Sequence, residues 1–217
     1  MYEHECEQGS EEWHRLRAGL PTASEFSKLV TSTGAESKSM PKYAVTLANE
    51  LYAGKPLDAF AGNAWTENGN AVEDEARKYY AFVYGVEPRQ VGFVTDRKDN
   101  PTYGISPDSL IGERGGLEIK CLKAETHTET LLYYKQYGRC PTKYVPQVQG
   151  QIMGLKLDWN DLLFYHPDLP SLVIRNEPNM KVILPLKKQI IAVRKERDEI
   201  FKVLKEFAAG GAYEKIM

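Results

Sequence analysis

Gly104-Ile-Ser-Pro-Asp108 and, a short loop later, Gly116-Leu-Glu118-Ile-Lys120 are the two runs from which the fold is read. Side chains alternate between the faces of a β-strand, so Glu118 and Lys120 share one face and Ile119 turns the other way, into a core. A charged pair on a central strand is costly to bury unless it is paired or binds a metal. Asp108 follows Pro107 where the chain turns after the expected strand Pro101–Ile105. If that strand and Gly116–Leu122 pair as a hairpin across the Ile111–Gly115 loop, Asp108 approaches Glu118. Two carboxylates converging beside a lysine suit a hard divalent cation. Magnesium, which takes oxygen ligands and keeps several waters, fits them, with manganese as a substitute and the Ile119 backbone carbonyl as a further ligand. Lys120 stays protonated beside two opposite charges. Its expected part is electrostatic stabilisation and water positioning rather than proton abstraction. An ion pair on an exposed hairpin has the same E-x-K signature, and the short motif alone does not separate the two.

Outward from these strands, the N-terminal side reads as helical. A short helix is expected at Ser10–Arg17, broken by Gly19, Leu20 and Pro21. Thr22-Ala-Ser-Glu25 has capping-box spacing and predicts a second helix to about Val30. Thr31–Met40 and Lys55–Asn63 read as loops, and Pro41–Ala53 and Thr66–Tyr84 as helices. Beyond Gly85 the pattern predicts strands at Val91–Thr95 and Asp161–His166, helices at Thr142–Leu155 and Lys187–Phe207, and one more strand at Met180–Leu184. Helices first, then strands mixed with helices, give an α/β or α+β domain with a central mixed sheet flanked by helices. The 217 residues read as one domain: a helical part over about 1–88, a sheet-containing core over about 89–184, and a C-terminal helix over about 187–207.

Composition narrows the partners. Lys and Arg total 28 against 30 Asp and Glu, a net charge of −2, so a nucleic acid must be held by a local basic patch. Lys181–Phe207 is one such basic stretch, with Ile190, Ile191, Ile200, Leu204 and Phe207 expected toward the core. Tyr133, Tyr134 and Tyr137, interleaved with Lys135 and Arg139, suit either a nucleic-acid contact or a plain helix face. There is no long uncharged apolar run for a membrane span. The acidic, polar start MYEHECEQGSEEWH lacks the marks of a secretory signal. Three cysteines, Cys6, Cys121 and Cys140, without a C-x-x-C pair argue against a disulfide framework or structural zinc and for reduced thiols in a cytoplasm.

Five motifs occur in a fixed order. They are Trp13-His-Arg-Leu-Arg17-Ala-Gly19 with Thr22-Ala-Ser24-Glu25; Asn68-Gly69 with Glu73 and Ala76-Arg77; Ser106-Pro107-Asp108; Gly116-Leu-Glu118-Ile-Lys120-Cys121; and Gln147-Val-Gln149. Over about residues 8–165 the chain resembles the phage lambda exonuclease and YqaJ-like viral recombinase family of PD-(D/E)xK nucleases.

The resemblance implies a restriction-endonuclease-like core. It implies a magnesium-dependent enzyme that digests double-stranded DNA 5′ to 3′, releasing mononucleotides and leaving 3′ overhangs for recombination by strand annealing. A site- or structure-specific endonuclease with the same core is the alternative, and a catalytically silent DNA-end module a more distant one. It further implies a homotrimeric ring, a single-strand annealing protein as partner, preference for 5′-phosphorylated ends, and a phage or prophage origin in a bacterial cytoplasm.

Carried onto this sequence, Arg17 and Ser24 belong to a 5′-phosphate pocket braced by Trp13. Glu73 faces Asp108 and Glu118 near the metal, with Glu75 as the neighbour most easily confused with it. Gln147 lies near the scissile phosphate or attacking water, with Gln149 and Gln151 as alternatives. Trp65 is the candidate strand-separating wedge, in a stretch where the chain departs from the family pattern.

Overall fold

The computed structural model of the chain describes residues 1–57 and 64–210, the side chains of 64–70 excepted. The later part of the expected Lys55–Asn63 loop and the side chains of Trp65 and Asn68 lie outside the described residues.

The elements are β1 (Tyr2–His4), α1 (Glu11–Arg17), a 3-10 turn at Ala23–Lys28, α2 (Met40–Ala53), α3 (Ala64–Tyr84), β2 (Pro88–Arg89), β3 (Phe93–Thr95), β4 (Gly104–Ile105), β5 (Ser109–Ile111), β6 (Gly115–Cys121), α4 (Ala124–Tyr137), a 3-10 turn at Thr142–Tyr144 leading into α5 (Val145–Leu155), β7 (Trp159–His166), β8 (Leu169–Asn176) and α6 (Met180–Ala208). One sheet has the order β2-β5-β6-β7-β8, and a smaller one the order β1-β3-β4. The larger sheet is mixed: β6 and β7 run parallel and its other pairs antiparallel. A parallel pair needs a crossover, and α4 and α5 supply it.

The alternation of β6 sorts its residues as expected. Leu117 and Ile119 join Leu163 and Tyr165 under Ala76 and Tyr80 of α3. On the other face Leu162 and Phe164 pack with Val148 and Ile152 of α5 and Leu186 and Ile190 of α6. Fully burying each such aliphatic or aromatic side chain contributes roughly 1.5–3 kcal/mol. The parallel register sets Glu118 beside Leu162 and Lys120 beside Phe164, so the charged pair lies on the face turned to α5.

Several expectations are corrected. Pro101–Ile105 is not the partner of β6. Its last two residues form β4 in the small sheet, and β6 pairs with β5, with Ser109 opposite Leu117. Asp108 is thereby the residue just before the pairing strand rather than the end of a distant one. Thr22 forms no capping box: its N–H donates to the Tyr43 hydroxyl (3.3 Å), and Ala23–Lys28 is a 3-10 turn.

Met180–Leu184 is the first part of α6, not a strand. Asn179 caps it by accepting the Lys181 N–H (3.1 Å), and Val182, Ile183, Leu186 and Ile190 are buried at helical spacing. Of the residues expected to face the core from this helix, Ile191 (66 % exposed) and Phe207 (62 %) face outward, because the stripe runs through Ile190 and Val193 instead. Among the described residues no helix is long and apolar enough to cross a membrane. Cys6, Cys121 and Cys140 are free thiols.

Candidate active site

β6 outruns its partner. The last β5 pair is Ser109 with Leu117, and beyond it Asp108 replaces the missing strand, its Oδ2 accepting the Ile119 N–H at 2.5 Å. In an antiparallel pair a residue's N–H and C=O point to the same side. The Ile119 carbonyl therefore lies on the Asp108 side, where the expected oxygen ligand is needed.

Glu118, 3 % exposed, is gripped from three directions. Lys120 Nζ donates to its Oε1 (2.6 Å), Gln147 Nε2 donates to the same oxygen (2.5 Å), and Gln151 Nε2 donates to Oε2 (2.5 Å). Gln147 and Gln151 are one helical turn apart on α5, hence on one face. Gln149 points elsewhere, donating to the Glu177 carbonyl (2.9 Å) and accepting the Asn179 N–H (2.7 Å). Of the three glutamines weighed in the sequence, Gln147 and Gln151 reach the carboxylate. The signal for Gln151 was its i, i+4 spacing from Gln147.

The electrostatics follow from the crowding. Burial, then the charges of Glu118 and Glu73, push the Asp108 carboxyl well above its ordinary value, and Lys120 and the Ile119 N–H offset this only in part. Burial works against the Lys120 ammonium, but Glu118 and Asp108 outweigh it and hold its pKa above the usual value. The two carboxylates thus favour the charged form of Lys120.

Glu73 comes from α3. It is raised by burial, then relieved by Arg77 and pushed up again by Glu118 and Asp74. Its Oε1 accepts from Arg77 Nη2 at 2.7 Å, and Arg77 Nε donates to Ser109 Oγ at 3.1 Å, tying α3 to the start of β5. Glu75 instead accepts the Tyr165 hydroxyl (2.7 Å), so the neighbour that shares the Asp108 cavity is Glu73. That cavity, about 850 Å³, is lined by Asp108, Glu73, Arg77 and Trp13 among others.

A second cavity of about 650 Å³ is also bordered by Trp13 and is lined by Arg17, Thr22, Lys28 and Lys42 among others. The Arg17 guanidinium stacks over the Trp13 ring at 4.0 Å, and its Nη2 donates to Ser24 Oγ (3.1 Å) and Thr22 Oγ1 (3.3 Å). Burial lowers the Arg17 pKa. It stays protonated, as arginine does in proteins. Trp13 donates from Nε1 to Ser106 Oγ at 2.8 Å, linking this pocket to the Ser106-Pro107-Asp108 turn. Arg17, Thr22 and Lys42 offer donors to a phosphate in this cavity, with Ser24 on the Arg17 guanidinium; Glu25, paired with Lys28, and Glu50 line it too. Trp65 lies in the first turn of α3, its side chain outside the described residues.

Among the described residues no three His, Cys, Asp or Glu side chains stand close enough to hold an ion by themselves. What the site offers is two crowded carboxylates and a backbone carbonyl. Hard oxygens, few in number, fit a cation that keeps most of its waters.

Residues 12–154 match the YqaJ-like viral recombinase domain family. The crystal structure of an alkaline exonuclease, LHK-Exo, from Laribacter hongkongensis is similar to this chain at 27 % identity and a TM-score of 0.78, over 94 % of this chain and all (100 %) of that one. LHK-Exo in complex with dAMP is similar at 28 % identity and a TM-score of 0.79, over the same shares, 94 % and 100 %. A phage-related exonuclease from Haemophilus somnus 129PT, at 17 % identity and a TM-score of 0.64 over 85 % of this chain and 96 % of that one, shares the fold. No curated protein matches in sequence.

Proposed function

The chain belongs to the YqaJ-like viral recombinase domain family and is a nuclease, and from that premise we propose that it digests one strand of linear duplex DNA from a 5′ end. It releases mononucleotides and leaves 3′ overhangs, for phage-type recombination by strand annealing. The observation that carries this reading is Asp108, Glu118 and Lys120 meeting at the open edge of β6, with Gln147 on the same carboxylate. LHK-Exo binding dAMP, a mononucleotide, supports an exonucleolytic product.

Asp108, Glu118 and the Ile119 carbonyl, with Glu73 alongside, would hold magnesium, which when bound supplies a water of lowered pKa and charge for the leaving oxygen. Lys120 adds a fixed positive charge beside the scissile phosphate and orients the attacking water. Gln147 holds Glu118 and faces the reacting group. Arg17 and Ser24 receive the 5′-phosphate and so place the next phosphodiester over Asp108. Trp65 is the wedge candidate. A trimer encircling the duplex keeps a subunit of net charge −2 on a polyanion, and a phage annealing protein takes the exposed strand in the host cytoplasm.

Linear duplex labelled at one end and incubated with magnesium tests the reading. Labelled mononucleotide released first from the 5′ end is expected. Release from the 3′ end reverses the polarity, and nicking of covalently closed circles replaces the exonuclease by an endonuclease.

A further inference from the structure

Glu118 Oε2 is held by Gln151, and Gln151 is held in turn. Its Oε1 accepts from Asn160 Nδ2 at 2.9 Å, and both residues are fully buried, at 0 % exposure. Asn160 lies on β7 directly beside Gly116 in the parallel register. A Cβ at Gly116 would sit 2.6 Å from Asn160 Nδ2, so the glycine two residues before Glu118 leaves the space that the amide fills. The three side chains thus form one row on the α5 face of the sheet. The row has a single direction: Asn160 donates, Gln151 accepts and donates, Glu118 accepts. Turning the Gln151 amide round would set oxygen against oxygen at Glu118 and nitrogen against nitrogen at Asn160.

The far end shows what the row is for. Among the described residues Asn160 Oδ1 is buried without a hydrogen-bond partner. Three buried polar groups and an unpaired oxygen are a poor way to fill a core, and apolar side chains of that volume would fill it better. We propose that Gln151 and Asn160 are positioning residues that fix the direction in which Glu118 presents its carboxylate to the metal, Asn160 acting only through Gln151. The proposal builds on the nuclease reading above. It concerns residues that act behind the carboxylate rather than on the DNA.

Gln151→Met, Asn160→Ala and Asn160→Asp test it, each read by thermal melting, by calorimetric titration with calcium alone, and by steady-state digestion in magnesium. Gln151→Met is expected to fold, to bind calcium about 10–100-fold more weakly, and to lose kcat by a similar factor with KM for DNA ends unchanged. At alkaline pH Asn160→Asp is expected to do more harm than Asn160→Ala, because the ionised carboxylate cannot donate and turns the Gln151 amide round. Gln151→Met combined with Asn160→Asp is expected to bind calcium no more weakly than Gln151→Met alone, while melting lower because the new carboxyl is buried without a partner.

A Gln151→Met protein with wild-type calcium affinity overturns the proposal, as does a double variant whose losses of calcium affinity are additive. Should Gln151→Met not fold, the order of the two Asn160 variants in calcium affinity decides. If the wild type binds calcium but cuts no DNA, the nuclease reading falls, and the calcium affinities still decide for or against the row.

Discussion

Replacing Lys120 with methionine keeps the reach of the side chain and removes its charge. Lys120 Nζ sits 2.6 Å from Glu118 Oε1, with side chains 24 % and 4 % exposed, so the pair is largely withdrawn from water. Removing one partner of a buried ion pair costs about 3–5 kcal/mol, and the residual exposure of Lys120 places this case near the lower end, about 3 kcal/mol. For a chain of this length that is a fall of about 6–12 °C in melting temperature without metal.

The loss should depend on pH in a defined direction. Asp108 and Glu73 have folded-state pKa values above their ordinary ones, Asp108 strongly, first through burial. Their penalty is absent below the ordinary carboxylate value, grows as pH rises through the raised ones, and is complete above them. Without Lys120 those values rise further. The deficit of Lys120→Met is therefore largest at mildly alkaline pH and narrows on acidification. Circular dichroism melts in chelator at mildly alkaline and mildly acidic pH give both numbers, and added calcium should recover part of the alkaline loss. A variant that melts with the wild type at alkaline pH, or whose deficit widens in acid, refutes Lys120 as the counter-charge of the site.

Asp108→Asn should abolish digestion yet raise the melting temperature of the metal-free protein, because it removes a crowded charge; a lower melting temperature would show that the carboxylate stabilises the fold instead. Arg17→Ala should weaken the preference for 5′-phosphorylated over 5′-hydroxyl ends by about 10–100-fold in KM, the worth of one charge-assisted hydrogen bond, and an unchanged preference places the pocket elsewhere. Gly150→Ala puts a methyl group 2.2 Å from Phe26 Cδ2. Overpacking of that kind costs about 1–3 kcal/mol, or about 2–12 °C, and a variant melting with the wild type would mean that Phe26 can step aside.

The strand of the candidate site was readable because Gly116–Lys120 alternates cleanly and Pro107-Asp108 marks a turn. Its true partner was not, since β5 is three residues long and starts immediately after Asp108. β8 was missed because Leu169–Asn176 contains Pro170 and is mostly half-exposed, which blurs any alternation. The start of α6 has the sequence marks of a strand, because Val182 and Ile183 are β-branched and Pro185 is a helix breaker. Packing against α2 and α5 overrides both signals. Gln147 could be singled out through the family motif, and Gln151 could follow from helical spacing. Asn160 could not, because its place beside Gly116 exists only once the β6–β7 register is fixed.

The ring of Phe26, seated against Gly150, joins the turn that carries Ser24 to the helix that carries Gln147 and Gln151. Grip and blade are therefore packed directly against one another, side chain on backbone. On the function proposed here, the length of each bite belongs to the protein and not to the base sequence passing through it.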